Sequence, residues 1–260
     1  MEIYIDLLPN YGGNCYIMAD KICLIRQPAG LGDILFCQKI ADKIKNKYNI
    51  KVLWPVIDGY SFLKNELRTT IEFCNVNDSF LHKNLFSNKT IIDNNDVLYI
   101  PLQDADQYYP GLCMMDAKYK FLGLKIDNWQ DYLFINRNKE KEDELKKLYN
   151  VSPGDDYVVL NRNYGCLPNF TTCRYLKNFS SKYKIIEITP RENFSLFNWS
   201  AILEGAKEIH TVDTSIMYLM EKLNLTGNLY CYSRYYPANF SNVTHLFKAK
   251  WQYIENLQFK

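Results

Sequence analysis

The sequence lacks the short signatures that mark several large enzyme classes. It contains no G-x-G-x-x-G, no phosphate-binding P-loop and no G-x-S-x-G elbow. Those gaps argue against a nicotinamide dehydrogenase, an ATPase and a serine hydrolase. Eight cysteines are present, yet none is spaced C-x-x-C, so buried free thiols are expected rather than structural zinc. A surplus of charge is also missing. The net charge is only +2, where a dedicated nucleic-acid binder usually carries a strong basic excess. No secretory apolar region opens the chain, and no apolar run approaches the ~18 residues of a membrane span. A reducing cytoplasm is the compartment these features fit. Histidine is scarce too: His82, His210 and His245 stand apart from one another, and core or surface roles are expected for all three. The N-x-S/T sequons, such as Asn169-Phe-Thr171 and Asn242-Val-Thr244, read as accidents of an Asn-rich chain.

What remains is the composition of a packed globular protein. Hydrophobic residues make up 47% and charged residues 23% of 260 positions, enough for one large domain or two small ones. Aromatic residues, at 15%, suit sugar stacking but are read first as core.

The stretch from Lys21 to Tyr48 organises the chain. Ile22 to Ile25 reads as a buried strand, Pro28 to Gly32 as a tight turn containing Gly30 and Gly32, and Asp33 opens a helix with Phe36, Ile40, Ile44 and Tyr48 on one face. A strand, a glycine turn and a helix start form the first half of a nucleotide-binding βα unit. Asp33 has two readings there: a helix N-cap, or a carboxylate presented to substrate. Before this stretch lie a strand-like EIYIDLL and a Gly12-Gly13 loop. After it come strands at Lys51 to Ile57, Thr70 to Phe73 and Val97 to Leu102, then a helical segment from Met114 to Leu122.

Composition changes near Asn138. NKEKEDELKKLYNV is a charged helix with one apolar side, broken by Ser152-Pro153-Gly154. This predicts an N-terminal domain over 1–137, a linker helix over 138–152 and a C-terminal domain over 153–260. The second half repeats the alternation, with strands at Tyr157 to Leu160, Lys184 to Ile188, Glu208 to Val212 and Asn228 to Tyr232. Helices are expected at 174–182, Trp199 to Ala206 and Ile216 to Leu223. An amphipathic tail from His245 to Leu257 is expected to pack back across both halves. Alternating strands and helices imply α/β architecture with parallel sheets.

Asp213-Thr214-Ser215 precedes a helix, so its hydroxyls and backbone N–H groups suit either a phosphate or a plain cap. Arg162, after Asn161 at a strand end, suits a diphosphate leaving group, or else a surface or domain-bridging role. Arg26, Arg191 and Arg234 lie near strand ends, and Glu187 lies in the Lys184 to Ile188 strand. Asp104-Ala105-Asp106 matches a D-x-D metal pattern that is common by chance.

Two segments together resemble heptosyltransferase-like glycosyltransferases of family 9, which have the GT-B fold. Ala29-Gly-Leu-Gly-Asp33-Ile-Leu-Phe36 is similar to the family's first G-D step, whose aspartate is the proposed base. Glu208-Ile-His-Thr-Val-Asp213-Thr-Ser215 is similar to the strand and D-T turn that bind the nucleotide diphosphate. It also resembles small virus- and phage-type relatives. The chain departs from the pattern where Ser215 replaces glycine, where Tyr218 stands in place of a later histidine, and at Phe36. The resemblance implies two Rossmann-type domains facing a cleft and an inverting, metal-independent transfer of sugar from a nucleotide-diphosphate sugar to a glycan or glycoconjugate hydroxyl. Asp33 is then the base. Gly30, Gly32, Arg162, Asp213, Thr214 and Ser215 hold the donor, with Arg26, Asn161, Glu187, Arg191, Tyr218 and Arg234 as further candidates. No cofactor, metal, nucleic-acid partner or transmembrane segment is expected. The rival readings are a metal-dependent GT-A transferase using Asp104 and Asp106, a GT-B-fold nucleotide-sugar epimerase, and a non-catalytic nucleotide-sugar or glycan-binding module.

Overall fold

A computed structural model describes residues 21–77, 85–165 and 169–255. The EIYIDLL stretch, the Gly12-Gly13 loop, Cys15, His82 and Cys166 lie outside the described residues. The chain divides into two compact units, Met1–Phe134 and Ile135–Lys260. No helix among the described residues is long and apolar enough to cross a membrane.

The sheet of the first unit is built from β1 (Ile22–Ile25), β2 (Lys51–Val56), β3 (Glu72–Asn75), β4 (Ile92–Asp93) and β5 (Val97–Ile100). They lie in the order β3-β2-β1-β5-β4, all parallel except β4, which runs against β5. The apolar run of β1 is what a strand covered on both faces requires, and Cys23, Leu24 and Ile25 are fully buried. Helix α1 (Leu31–Phe36) breaks at Cys37 and resumes as α2 (Gln38–Tyr48), where a single helix was expected. Phe36 anchors this break, its ring 4.9 Å from Tyr119 and 5.2 Å from Trp129. Among the described residues the unit also holds short α3 (Leu63–Glu66) and α4 (Met114–Phe121). The strand expected at Thr70 to Phe73 starts two residues later, because the Thr69 hydroxyl accepts the Ile71 N–H and shapes a turn before it.

The second unit opens with α5 (Lys139–Leu148), capped by the Asn138 side chain, which accepts from Lys141 N at 3.1 Å. The helix read as a linker is fastened to this unit. Arg137 donates to Glu142 at 2.6 Å from both Nε and an Nη, and to both oxygens of Glu204 at 2.8 and 2.7 Å. Next come β6 (Tyr157–Asn161), a two-stranded ribbon of β7 (Asn163–Tyr164) and β8 (Thr171–Thr172), β9 (Lys184–Glu187), α6 (Ser200–Gly205), β10 (Glu208–Val212), α7 (Ser215–Met220), β11 (Asn228–Tyr232) and β12 (Trp251–Ile254). The main sheet is wholly parallel, in the order β12-β11-β10-β6-β9.

One expected helix is absent here, and the tail takes part in a sheet. Residues 174–182 form one 3-10 turn, Arg174–Leu176, instead of a helix. Asn178, Ser180 and Ser181 favour local side-chain bonds over helix, as the Tyr183 N–H to Ser181 hydroxyl bond at 3.1 Å illustrates. The tail contributes β12 to the edge of the second sheet, with Trp251 opposite Leu229.

Each parallel sheet has a point where successive strands leave in opposite directions. In the first unit it lies between β1 and β5. The second unit has the 2-1-3-4-5 order of doubly wound folds, with its reversal between β6 and β10. Ligands of such sheets bind beyond the carboxyl ends of the strands at the reversal.

Candidate functional site

In the first unit the chain leaves β1 at Arg26. Arg26 N donates to Ile100 O at 2.8 Å and Gln103 N donates to Arg26 O at 2.9 Å, so the loops after β1 and β5 are stitched together at the reversal point. Gly30 sits at φ +82°, and a Cβ there would run into the Asp33 carboxylate. That backbone lets the helix begin at Leu31, with Gly30 as its N-cap and Ile34 N bonded to Gly30 O at 3.0 Å. Asp33 is therefore the third residue of α1 and caps nothing, which corrects the reading of it as the cap. Gly32 is in the same first turn.

Asp33 Oδ1 lies 3.3 Å from Lys118 Nζ and has no well-formed hydrogen bond. Lys118 is 0% exposed. A buried ammonium demands partners, and this one donates to Gln27 Oε1 at 2.5 Å and Leu102 O at 3.2 Å. Lys118 thus sets a buried positive charge beside the carboxylate. The sequence reading missed Lys118. Its signal was the spacing of Met114, Lys118 and Phe121, which places the lysine on an otherwise apolar helix face.

Arg26 forms an ion pair with Asp104, whose other oxygen accepts from Gln107 at 3.2 Å. Asp104 and Asp106 both lie in the 3-10 segment Leu102–Tyr108, where residues two apart point ~240° apart around the axis. The D-x-D residues therefore do not form a facing pair, and Asp104 is already engaged.

In the second unit the reversal point gathers several expected residues. Asn161 Nδ2 donates to the hydroxyls of Thr211 at 2.8 Å and Thr214 at 3.0 Å, joining the ends of β6 and β10. Thr214 is the N-cap residue of α7 by position, but its hydroxyl makes no capping bond and lies 3.3 Å from Val212 O. Ser215 follows as the first helical residue. Asp213, 4% exposed, accepts from Arg234 N at 3.0 Å and Arg234 Nε at 3.1 Å. Burial pushes the Asp213 carboxyl above its ordinary value, against the opposing pull of Arg234. The side-chain contact of Arg234 with Asp213 runs through Nε.

Arg162 and Glu187 find each other. They form a two-point pair at 2.8 and 2.6 Å across the ends of β6 and β9. Arg191 and Tyr218 stand apart from this group. Arg191 Nε donates to the Tyr149 hydroxyl at 2.9 Å and its guanidinium covers that ring, beside the end of α5. Tyr218 is buried, edge-on to Phe247 at 4.9 Å.

Cys23, Cys37, Cys173 and Cys231 are buried free thiols, and burial pushes each of them up, away from reactive thiolate. His210 is enclosed in β10. It lies flat on Tyr230 at 4.5 Å, with ring nitrogens 2.9 Å from the Tyr232 hydroxyl and 3.1 Å from Glu208. Burial lowers its pKa despite Glu208. In the unfolded chain a histidine takes a proton near pH 6.5, while the folded ring resists doing so. Stability is therefore full above that pH and falls as pH drops below it. Urea midpoints are expected to decline between pH 7 and 5.5, and His210→Gln to flatten that slope.

No family model matches the sequence, and no curated protein does. Solved structures do match. One is a glycosyl transferase of family 9 from Veillonella parvula, at 10% identity and TM-score 0.51, over 91% of this chain and 87% of that one. Another is the E. coli ADP-heptose LPS heptosyltransferase II, at 11% identity and TM-score 0.51, over 92% of this chain and 91% of that one. The shared feature is the fold: two Rossmann-type α/β units of the GT-B kind.

Proposed function

We propose that this protein is a glycosyltransferase that moves a sugar from a nucleotide-diphosphate sugar to a hydroxyl of a glycan or glycoconjugate, in the cytoplasm and without a metal. The observation that carries the reading is Asp33. It is a carboxylate at the reversal point of a parallel sheet that performs no capping role and is faced by a buried lysine. The GT-B fold and the polar group at the second unit's reversal point support the same reading.

In this mechanism Asp33 accepts the proton of the acceptor hydroxyl as a positioned general base. The acceptor oxygen attacks the anomeric carbon while its bond to the diphosphate breaks. One carboxylate and one displacement give inversion. Charge growing on the departing diphosphate is met by the terminal nitrogens of Arg234 and by the Thr214 and Ser215 hydroxyls. Asn161 orients Thr214. Arg162 was expected to share this duty, but its Nε and one Nη are held by Glu187, so Arg234 takes the larger part.

A thermal-shift panel of nucleoside diphosphates and nucleotide sugars tests the class. A ligand at a hundred times its Kd stabilises the native state by ~2.7 kcal/mol. One base is expected to raise the melting temperature above the others. A panel with no shift for any member contradicts a donor site.

A further inference from the structure

The loop that leaves β11 is firmly built and yet presents two large rings to solvent. Ser233 closes it. The buried Ser233 hydroxyl accepts from Tyr235 N at 3.0 Å and Asn239 N at 3.2 Å, and lies 3.3 Å from Asn239 O. The Cys173 thiol donates to Ser233 O at 3.4 Å, which ties the loop to the segment that carries Arg174. On this frame Tyr235 is 57% and Tyr236 68% exposed. Tyr236 is not left to rotate freely. The Arg174 guanidinium lies 3.7 Å from its ring centroid, and the Tyr175 ring stands 6.4 Å away. One face of the ring is thus covered by a cation, while the ring as a whole stays mostly exposed. Two residues earlier in the chain is Arg234, locked to Asp213.

An exposed tyrosine that serves only solubility has no reason to be held so. Fixing a ring in advance removes the ordering cost when a flat partner lands on it. Any nucleobase offers a π-face for such stacking, whatever its hydrogen-bonding edge. We propose that the open face of Tyr236 is the shelf on which the base of the donor nucleotide stacks, with Arg174 bracing the ring from behind and Arg234 reaching the phosphates. This rests on the donor site proposed above and assigns its base-binding residue.

The test is isothermal titration of the wild type, Tyr236→Ala and Tyr236→Phe with ADP, GDP, UDP and CDP, and with inorganic pyrophosphate, which has no base. For the preferred nucleoside diphosphate, Tyr236→Ala is expected to weaken binding about tenfold or more. Its pyrophosphate affinity should stay unchanged, and Tyr236→Phe should bind like wild type. If Tyr236→Ala binds nucleoside diphosphate as tightly as wild type, the shelf is wrong and the donor site stands. An equal loss for nucleotide and pyrophosphate also overturns the shelf, since the ring would then only support the loop. A wild type that binds none of these ligands refutes the donor site and the shelf together.

Discussion

Asp33→Ala lowers turnover by ~10²–10⁴-fold, the usual loss when a positioned general base is removed, while nucleoside diphosphate affinity holds at the wild-type value. The two halves of this expectation come from different units. The proposed base, Asp33, stands at the reversal point of the first sheet, and the donor group proposed here lies wholly in the second unit. Folding should survive at a cost in stability, because Lys118 loses its carboxylate partner but keeps its bonds to Gln27 and Leu102. Asp33→Asn makes the stricter comparison. It preserves shape and removes the basic oxygen, so it should be as slow as the alanine variant. Single-turnover rates and ligand titrations on the same samples separate chemistry from binding. Wild-type turnover in either variant ends the role of Asp33 as base.

The second large effect concerns stability. Arg137→Met should cost ~3 kcal/mol, at the lower end of the range for breaking a buried ion pair. Glu142 is 1% exposed and takes two of the arginine's bonds, and Glu204 takes the rest. Without Arg137, the buried carboxylate keeps only Lys139, 3.3 Å away with a largely exposed side chain. Partial exposure of Arg137 itself argues for the lower figure. Urea denaturation at neutral pH should show the midpoint fall, and pairing the change with Glu142→Leu should recover part of it, since the stranded charge is then gone. An unchanged midpoint in Arg137→Met would mean that α5 is held by apolar packing alone.

Local pattern made much of this legible in advance. The β1 run, the glycine turn and the Glu208 to Ser215 segment each carry their own signal, because apolar periodicity and turn residues act over a few positions. What the pattern hid was set by contacts between distant residues or by backbone freedom. Gly30 tolerates a positive φ, which starts α1 two residues before Asp33 and denies it the cap. Lys118 reaches Asp33 from 85 positions along the chain. Arg162 meets Glu187 only because β6 and β9 are neighbours in the sheet, with Leu160 opposite Glu187. Tyr218 was a candidate because it stands in place of a histidine in the resembling pattern, but α7 is buried over most of its surface and takes the ring with it. The tail read as an amphipathic segment because four strand residues are too few to show a period of two.

The most direct measurement of the central claim is proton NMR of the wild type incubated with its matched nucleotide sugar and a hydroxyl acceptor in EDTA. The predicted result is a glycoside product whose anomeric configuration is opposite to that of the donor. A product of retained configuration, or a donor that stays bound and intact until a divalent cation is supplied, would contradict it.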